Sequence, residues 1–127
     1  MITITPITAP QNPDVTQREL IVDGTAALSD TYGTFGSNGD TLDLTQFRDL
    51  LKSSQLPVKV EVWEDPTSGT APFFIKTVYC PSTTQANGVL SIAFAGGTQL
   101  VAGTAYSGQT ANITNAVLRV RAWFPCY

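Results

Sequence analysis

The sequence predicts an all-β protein: an antiparallel β-sandwich, jelly-roll-like, with one short helix and an extended N-terminal arm. Three observations carry that expectation. Threonine, which is β-branched and suits half-buried strands, occupies 18 of the 127 positions. Six or so short runs alternate apolar and polar residues at strand period. Ten glycines and eight prolines punctuate those runs, as in sandwiches and small barrels. The length fits one domain, large enough to bury about two-thirds of its unfolded surface without staples. No repeat of 20–50 residues is present. Residues 1–17 read as the arm and 18–127 as the sandwich domain.

The elements follow in order. Over residues 1–17, Pro6, Pro10 and Pro13 block helix and central strand alike and push the residue before each to extended geometry. Stretched out, this segment reaches on the order of 55 Å. A merely solvated tail has little use for Ile2, Ile4, Ile7 and Val15, so they read as anchors of an arm that docks on a partner. The Ile2–Thr5 alternation would let its tip add to a sheet edge. Residues 18–28 form the first body strand, with Leu20 and Val22 opposite Ile21, and Asp23-Gly24 marks a bulge or turn. A Gly/Ser/Asn-rich loop over 29–40 precedes a short amphipathic helix over 45–52. Phe47, Leu50 and Leu51 share one helix face, Asp43 and Gln46 have capping-box spacing, and Lys52 sits at the negative end of the dipole.

Beyond Pro57, residues 58–64 alternate with Val58, Val60 and Val62 toward the core. A turn-rich loop over 65–72 leads to a returning run over 73–79, so 58–79 reads as a hairpin. Asn87-Gly88 turns into a strand over 89–94. Gly96-Gly97 and Gly103 bracket a weak strand near 98–102. The run 116–124 is a strong strand, with Leu118, Val120, Ala122 and Phe124 on one face and Val117, Arg119, Arg121 and Trp123 on the other.

Composition narrows the function. Formal net charge is −3 and charged residues make up 13% of the chain, which excludes the clustered Lys/Arg footprint of a nucleic-acid binder. The low charge hints that part of the surface is covered by something else. Histidine is absent, which removes the commonest general base and metal ligand and any Ser–His or Cys–His machine. No segment reads as a secretory signal or a membrane-spanning helix, so the Asn112-Ile113-Thr114 sequon carries little weight and no membrane partner is expected. Cys80 and Cys126, each beside a proline, are read as free thiols rather than a bridge, and no zinc spacing exists.

Asp40 with Asp43, and Glu61 with Glu64 and Asp65, lack the specificity of a catalytic carboxylate pair. The acids from Asp30 to Asp43 miss EF-hand spacing, and Asp43 reads better as a helix cap. Gly96-Gly97 opens no helix and so no phosphate loop. The chain is therefore read as a non-enzyme with no cofactor and no metal. The aromatics carry more: Trp63 and Trp123 fall on the outward faces of their strands, where Tyr79 and Phe73 can join them. Such a row is a sugar-stacking platform, a protein interface or a second core face. Arg119 and Arg121 beside Trp123 favour the interface.

The segment Gly39-Asp40-Thr41-Leu42-Asp43-Leu44, preceded by Tyr32 and a glycine-rich stretch, resembles a pattern of small virion proteins of tailed bacteriophages. The resemblance covers about six residues. The rest of the chain is similar to such proteins only in general character, through its low charge, its Thr/Ala/Gly richness and its terminal arm. The resemblance implies a head decoration (cement) protein, made in the host cytoplasm and carried on the outer capsid surface. The implied partner is the major capsid protein, and the implied state a homo-oligomer, often a trimer, that braces neighbouring capsomers. The alternatives are a carbohydrate-binding module that uses Trp63, Tyr79 or Trp123, and a tail or connector component.

Overall fold

The computed structural model describes residues 1–7, 19–33, 39–47, 55–65, 73–94, 100–109 and 113–125. Seven strands run through them: β1 (Ile2–Pro6), β2 (Glu19–Leu28), β3 (Asp40–Leu42), β4 (Lys59–Glu64), β5 (Phe73–Tyr79), β6 (Gly88–Phe94) and β7 (Val117–Pro125). They form a four-stranded sheet of order β1-β2-β7-β4 and a three-stranded sheet of order β3-β6-β5, antiparallel throughout. The all-β class is as the composition implies. Among the described residues this is one strand fewer than an eight-stranded jelly roll.

Strand period decides the layers. On β7, Leu118, Val120, Ala122 and Phe124 are buried while Val117, Arg119, Arg121 and Trp123 point away, which matches the expected phase. Val22, Ala26 and Leu28 of β2 and Ile2 and Ile4 of β1 join them beneath the larger sheet. Leu42, Phe73, Leu90 and Ile92 meet them from the smaller one, in a single cluster. The strand β6 is the centre of its sheet and is buried from Gly88 to Ala93, so it reads as an apolar run rather than an alternation.

Gly24 belongs to the core face of β2. A Cβ there would lie 2.9 Å from the Thr5 carbonyl oxygen and 3.1 Å from the Phe47 ring. Its absence lets Phe47 reach under the sheet and stack edge-on against Phe124, with ring centroids 6.4 Å apart.

Five expectations need correction. Residues 2–6, the apolar tip of the arm, are a strand of the chain's own sheet. β1 pairs with β2 in the register Ile2↔Leu28 through Pro6↔Gly24, so Ile2 and Ile4 are core residues and not anchors held out to a partner. The small residues Gly24 and Ala26 on β2 leave the space they fill. The expected helix is a 3-10 turn at Thr45–Phe47 in its described part, and Leu50, Leu51 and Lys52 lie outside the described residues.

Residues 58–79 are not a hairpin: β4 pairs with β7 and β5 with β6, in different sheets. The two runs thus belong to different layers, a choice that alternation alone does not encode. Val58 precedes β4, donates its N–H to the Trp123 carbonyl (2.8 Å) and is exposed rather than in the core. Of the weak strand near 98–102, residues 100–102 carry no strand and 98–99 lie outside the described residues.

Candidate functional site

Registers across the larger sheet place its outward side chains in rows. Thr25, Arg119 and Trp63 are neighbours across β2, β7 and β4. The next row is Asp23, Arg121 and Glu61, and the next Ile21, Trp123 and Lys59. Ile7 donates its N–H to the Asp23 carbonyl at 2.9 Å and extends the middle row at the β1 side. One face of one sheet thus gathers five of the expected binding residues: Ile7, Trp63, Arg119, Arg121 and Trp123. Ile7, Trp63, Arg119 and Arg121 line a groove of about 310 Å³ together with Asp23 and Asp65.

Each cation on this face has an anion. Arg121 grips Asp23 with two bonds, Nε to Oδ1 at 2.6 Å and Nη2 to Oδ2 at 3.0 Å, and these hold its guanidinium more firmly charged than usual. Arg119 Nε reaches Asp65 Oδ2 at 3.1 Å. Lys59 bonds Glu61 at 2.9 Å and sits 4.7 Å over the Trp123 ring. Among the described side chains, three cations therefore face three carboxylates. Ile7 (48% exposed) and Trp63 (40% exposed) supply the apolar relief.

The third reading of these aromatics, a second core face, does not hold: the outer face of β4 and β7 is solvated. The continuous aromatic row of Trp63, Trp123, Tyr79 and Phe73 does not form either. Trp63 and Trp123 are separated by the Arg121–Glu61 row, about 14 Å along the strands. One face of Trp123 is covered by Lys59. Tyr79 lies exposed on β5 in the other sheet, and Phe73 is buried. Val15 lies outside the described residues.

The Gly39–Leu44 motif has a structural use for Gly39, Asp40, Leu42, Asp43 and Leu44. Gly39 has φ +135° and passes so close to β6 that a Cβ would meet the Leu90 carbonyl oxygen. Asp40 is fully buried: its Oδ2 lies 3.0 Å from the Met1 ammonium and accepts the Tyr106 hydroxyl at 2.7 Å, while its Oδ1 accepts the Thr41 N–H. Leu42 and Leu44 are core residues. Asp43 caps the 3-10 turn as expected, with Oδ1 accepting both the N–H and the hydroxyl of Thr45. Tyr32, upstream of the motif, stacks edge-on against Tyr106 at 5.7 Å.

Asp23, Glu61 and Asp65, the acids that neutralise the outer face, were not singled out as site residues. Asp23 and Glu61 are acids directly opposite Arg121 in the sheet, and Asp65, just beyond β4, reaches Arg119 two residues along β7, a signal that becomes visible only once strand neighbours are known. Cys80 is an exposed free thiol, and Cys126 lies outside the described residues. Among the described residues, no three of Cys, Asp and Glu converge as a metal site. No family model matches the chain, and neither a curated protein nor a solved structure matches it.

Proposed function

We propose that the chain is a structural binding protein of the virion, a capsid decoration (cement) protein of the tailed-bacteriophage type. In this reading it docks on the major capsid protein through the outer face of the β1-β2-β7-β4 sheet. The observation that carries the reading is the convergence of Ile7, Trp63, Arg119, Arg121 and Trp123 on that one face, with its charges internally balanced. Tryptophan and arginine dominate binding energy at protein interfaces. Paired arginines disfavour a phosphate backbone and favour a protein surface of mixed polarity. The resemblance of the Gly39–Leu44 segment supplies the virion context. A rigid two-layer body seated on the shell would brace neighbouring capsomers through many copies acting together.

The test is the copy number of the chain in purified particles, measured by mass spectrometry against the major shell protein. A ratio near one, or one per local three-fold, is the expected result. A few copies per particle would assign the chain to the tail or connector, and absence from particles would overturn the virion reading.

A further inference from the structure

The sequence holds two Asn-Gly pairs, Asn38-Gly39 and Asn87-Gly88. In a flexible chain this dipeptide loses ammonia readily. The glycine backbone nitrogen attacks the asparagine Cγ, and glycine has no Cβ to hinder the approach. The N–Cγ bond forms and the amide proton leaves to water. The Cγ–Nδ2 bond breaks, and the departing nitrogen takes up a proton as ammonia. Water then opens the succinimide at one carbonyl or the other, giving aspartate or isoaspartate. Asn38 lies outside the described residues, whereas Asn87 and Gly88 are both described.

The fold holds both reacting groups of the second pair. The Asn87 carboxamide is tied back to the turn before it: Oδ1 accepts the Ser82 N–H at 3.0 Å, and Nδ2 donates to the Thr83 hydroxyl. Gly88 opens β6, the central strand of its sheet, and is buried. Ile92 of the same strand donates its N–H to the Tyr32 hydroxyl (3.3 Å), and its carbonyl accepts the Leu100 N–H (3.1 Å). The even-numbered residues of β6 therefore turn their backbone groups away from β5 and toward the β3 side. Gly88 exchanges its backbone bonds with Leu42, its register partner on β3. The attacking nitrogen is thus engaged in a ladder, and its target is held by residues 82 and 83.

We propose that Asn87 is a modification site gated by the fold. It deamidates only from chains in which the 82–88 turn and the β3–β6 ladder have opened, and the isoaspartyl product cannot close again. The two products differ in consequence. Aspartate keeps an oxygen for the Ser82 N–H, and the Thr83 hydroxyl can donate to it. Isoaspartate adds a methylene to the backbone immediately before Gly88, where there is no room to shift. A Cβ on Gly88 would already lie 2.7 Å from the Leu42 carbonyl oxygen and 3.2 Å from the Pro81 ring. Leu42 is fully buried, so a lost register there reaches the core. Each opening thus exposes the chain to an irreversible step, whatever the outer face binds.

Fragment-ion mass spectrometry resolves deamidation at Asn87 in the full chain, native and in guanidinium chloride at the same mildly alkaline pH. In denaturant Asn38-Gly39 is the internal standard, and the two pairs should react at similar rates. The native rate at Asn87 should be at least about tenfold below its denatured rate, because only the open fraction reacts. Thr83 is exposed. Thr83→Ala removes one tether of the carboxamide and should raise the native rate about two- to tenfold, the worth of one hydrogen bond. In an Asn38→Gln background, Asn87→Asp should keep the urea midpoint of its parent. Chains of that background aged in denaturant to isoaspartate at position 87 should fail to regain it on refolding. A native rate equal to the denatured one, a native rate indifferent to Thr83→Ala, or isoaspartyl chains as stable as Asn87→Asp would each overturn the proposal.

Discussion

Tyr106 donates its hydroxyl to Asp40 across 2.7 Å, and both side chains are completely buried, although 66 residues separate them in the chain. This bond ties the 3-10 turn at Tyr106–Gly108 to β3. Through the Met1 ammonium on the same carboxylate oxygen, it also ties both to the start of β1. Tyr106→Phe keeps the ring and its edge-on contact with Tyr32 but leaves a buried carboxylate one donor short. The expected cost is about 1.5–3 kcal/mol, read as a lower urea midpoint with an unchanged slope.

The same site sets an alkaline limit. Burial, then the charge of Asp40, push the Tyr106 hydroxyl well above the usual tyrosine range. An unfolded tyrosine releases its proton near pH 10, so above that value the unfolded state binds fewer protons than the native state and stability falls as pH rises. Below about pH 10 this contribution is fully present. In a spectrophotometric titration, Tyr106 should ionise only together with cooperative unfolding. A Tyr106→Phe variant should then show one fewer tyrosinate in the unfolding step.

Ile4 tests the corrected account of the N-terminal segment. It is 3% exposed, sits opposite Ala26, and touches the space a side chain at Gly24 would need. Ile4→Ala should destabilise the fold by about 2–5 kcal/mol, the range for a buried aliphatic cut to alanine. A solvated or partner-bound arm would give less than about 0.5 kcal/mol in the free protein. Chemical denaturation separates the two outcomes.

The alternation of β7 was legible because period two is a property of one strand, and it assigned Arg119, Arg121 and Trp123 to the outward face correctly. The same logic marked Ile2 and Ile4 as a strand but could not say whose edge the strand would join. Sequence adjacency suggested a 58–79 hairpin, whereas β4 found its partner in β7, more than fifty residues later. The outer site was half legible for a related reason. Its aromatics and arginines stand out by residue type, while Asp23 and Asp65 matter only through register with distant strands. Asp40 was the least legible residue, since nothing near it in sequence announces Met1 or Tyr106.

Gly24→Ala probes the contact between β2 and the 3-10 turn. The added methyl would crowd the Thr5 carbonyl oxygen and the Phe47 ring, and only the ring can give way. Moving Phe47 disturbs its stacking on Phe124. The expected loss is about 1–3 kcal/mol, as for overpacking elsewhere. A companion change, Phe47→Leu, makes room and should recover part of that loss, and a double-mutant cycle measures the coupling.

Arg121 separates stability from binding on the outer face. Its pair with Asp23 is bidentate, yet the two side chains are 42% and 30% exposed. Water and salt screen such a pair, so a double-mutant cycle over Arg121→Ala and Asp23→Ala in the free protein should give a coupling of only about 0.2–1 kcal/mol, falling as salt is added. Docking changes the balance. If the face is buried against a shell protein, Arg121→Ala leaves Asp23 desolvated and unpaired, and the loss of affinity should reach about 2–5 kcal/mol. Trp63→Ala should cost about 2 kcal/mol or more in binding while barely moving the urea midpoint. Particle-binding isotherms for the two variants, set beside their denaturation curves, measure that separation. Equal losses in both assays would mean that the face serves the fold and not a partner.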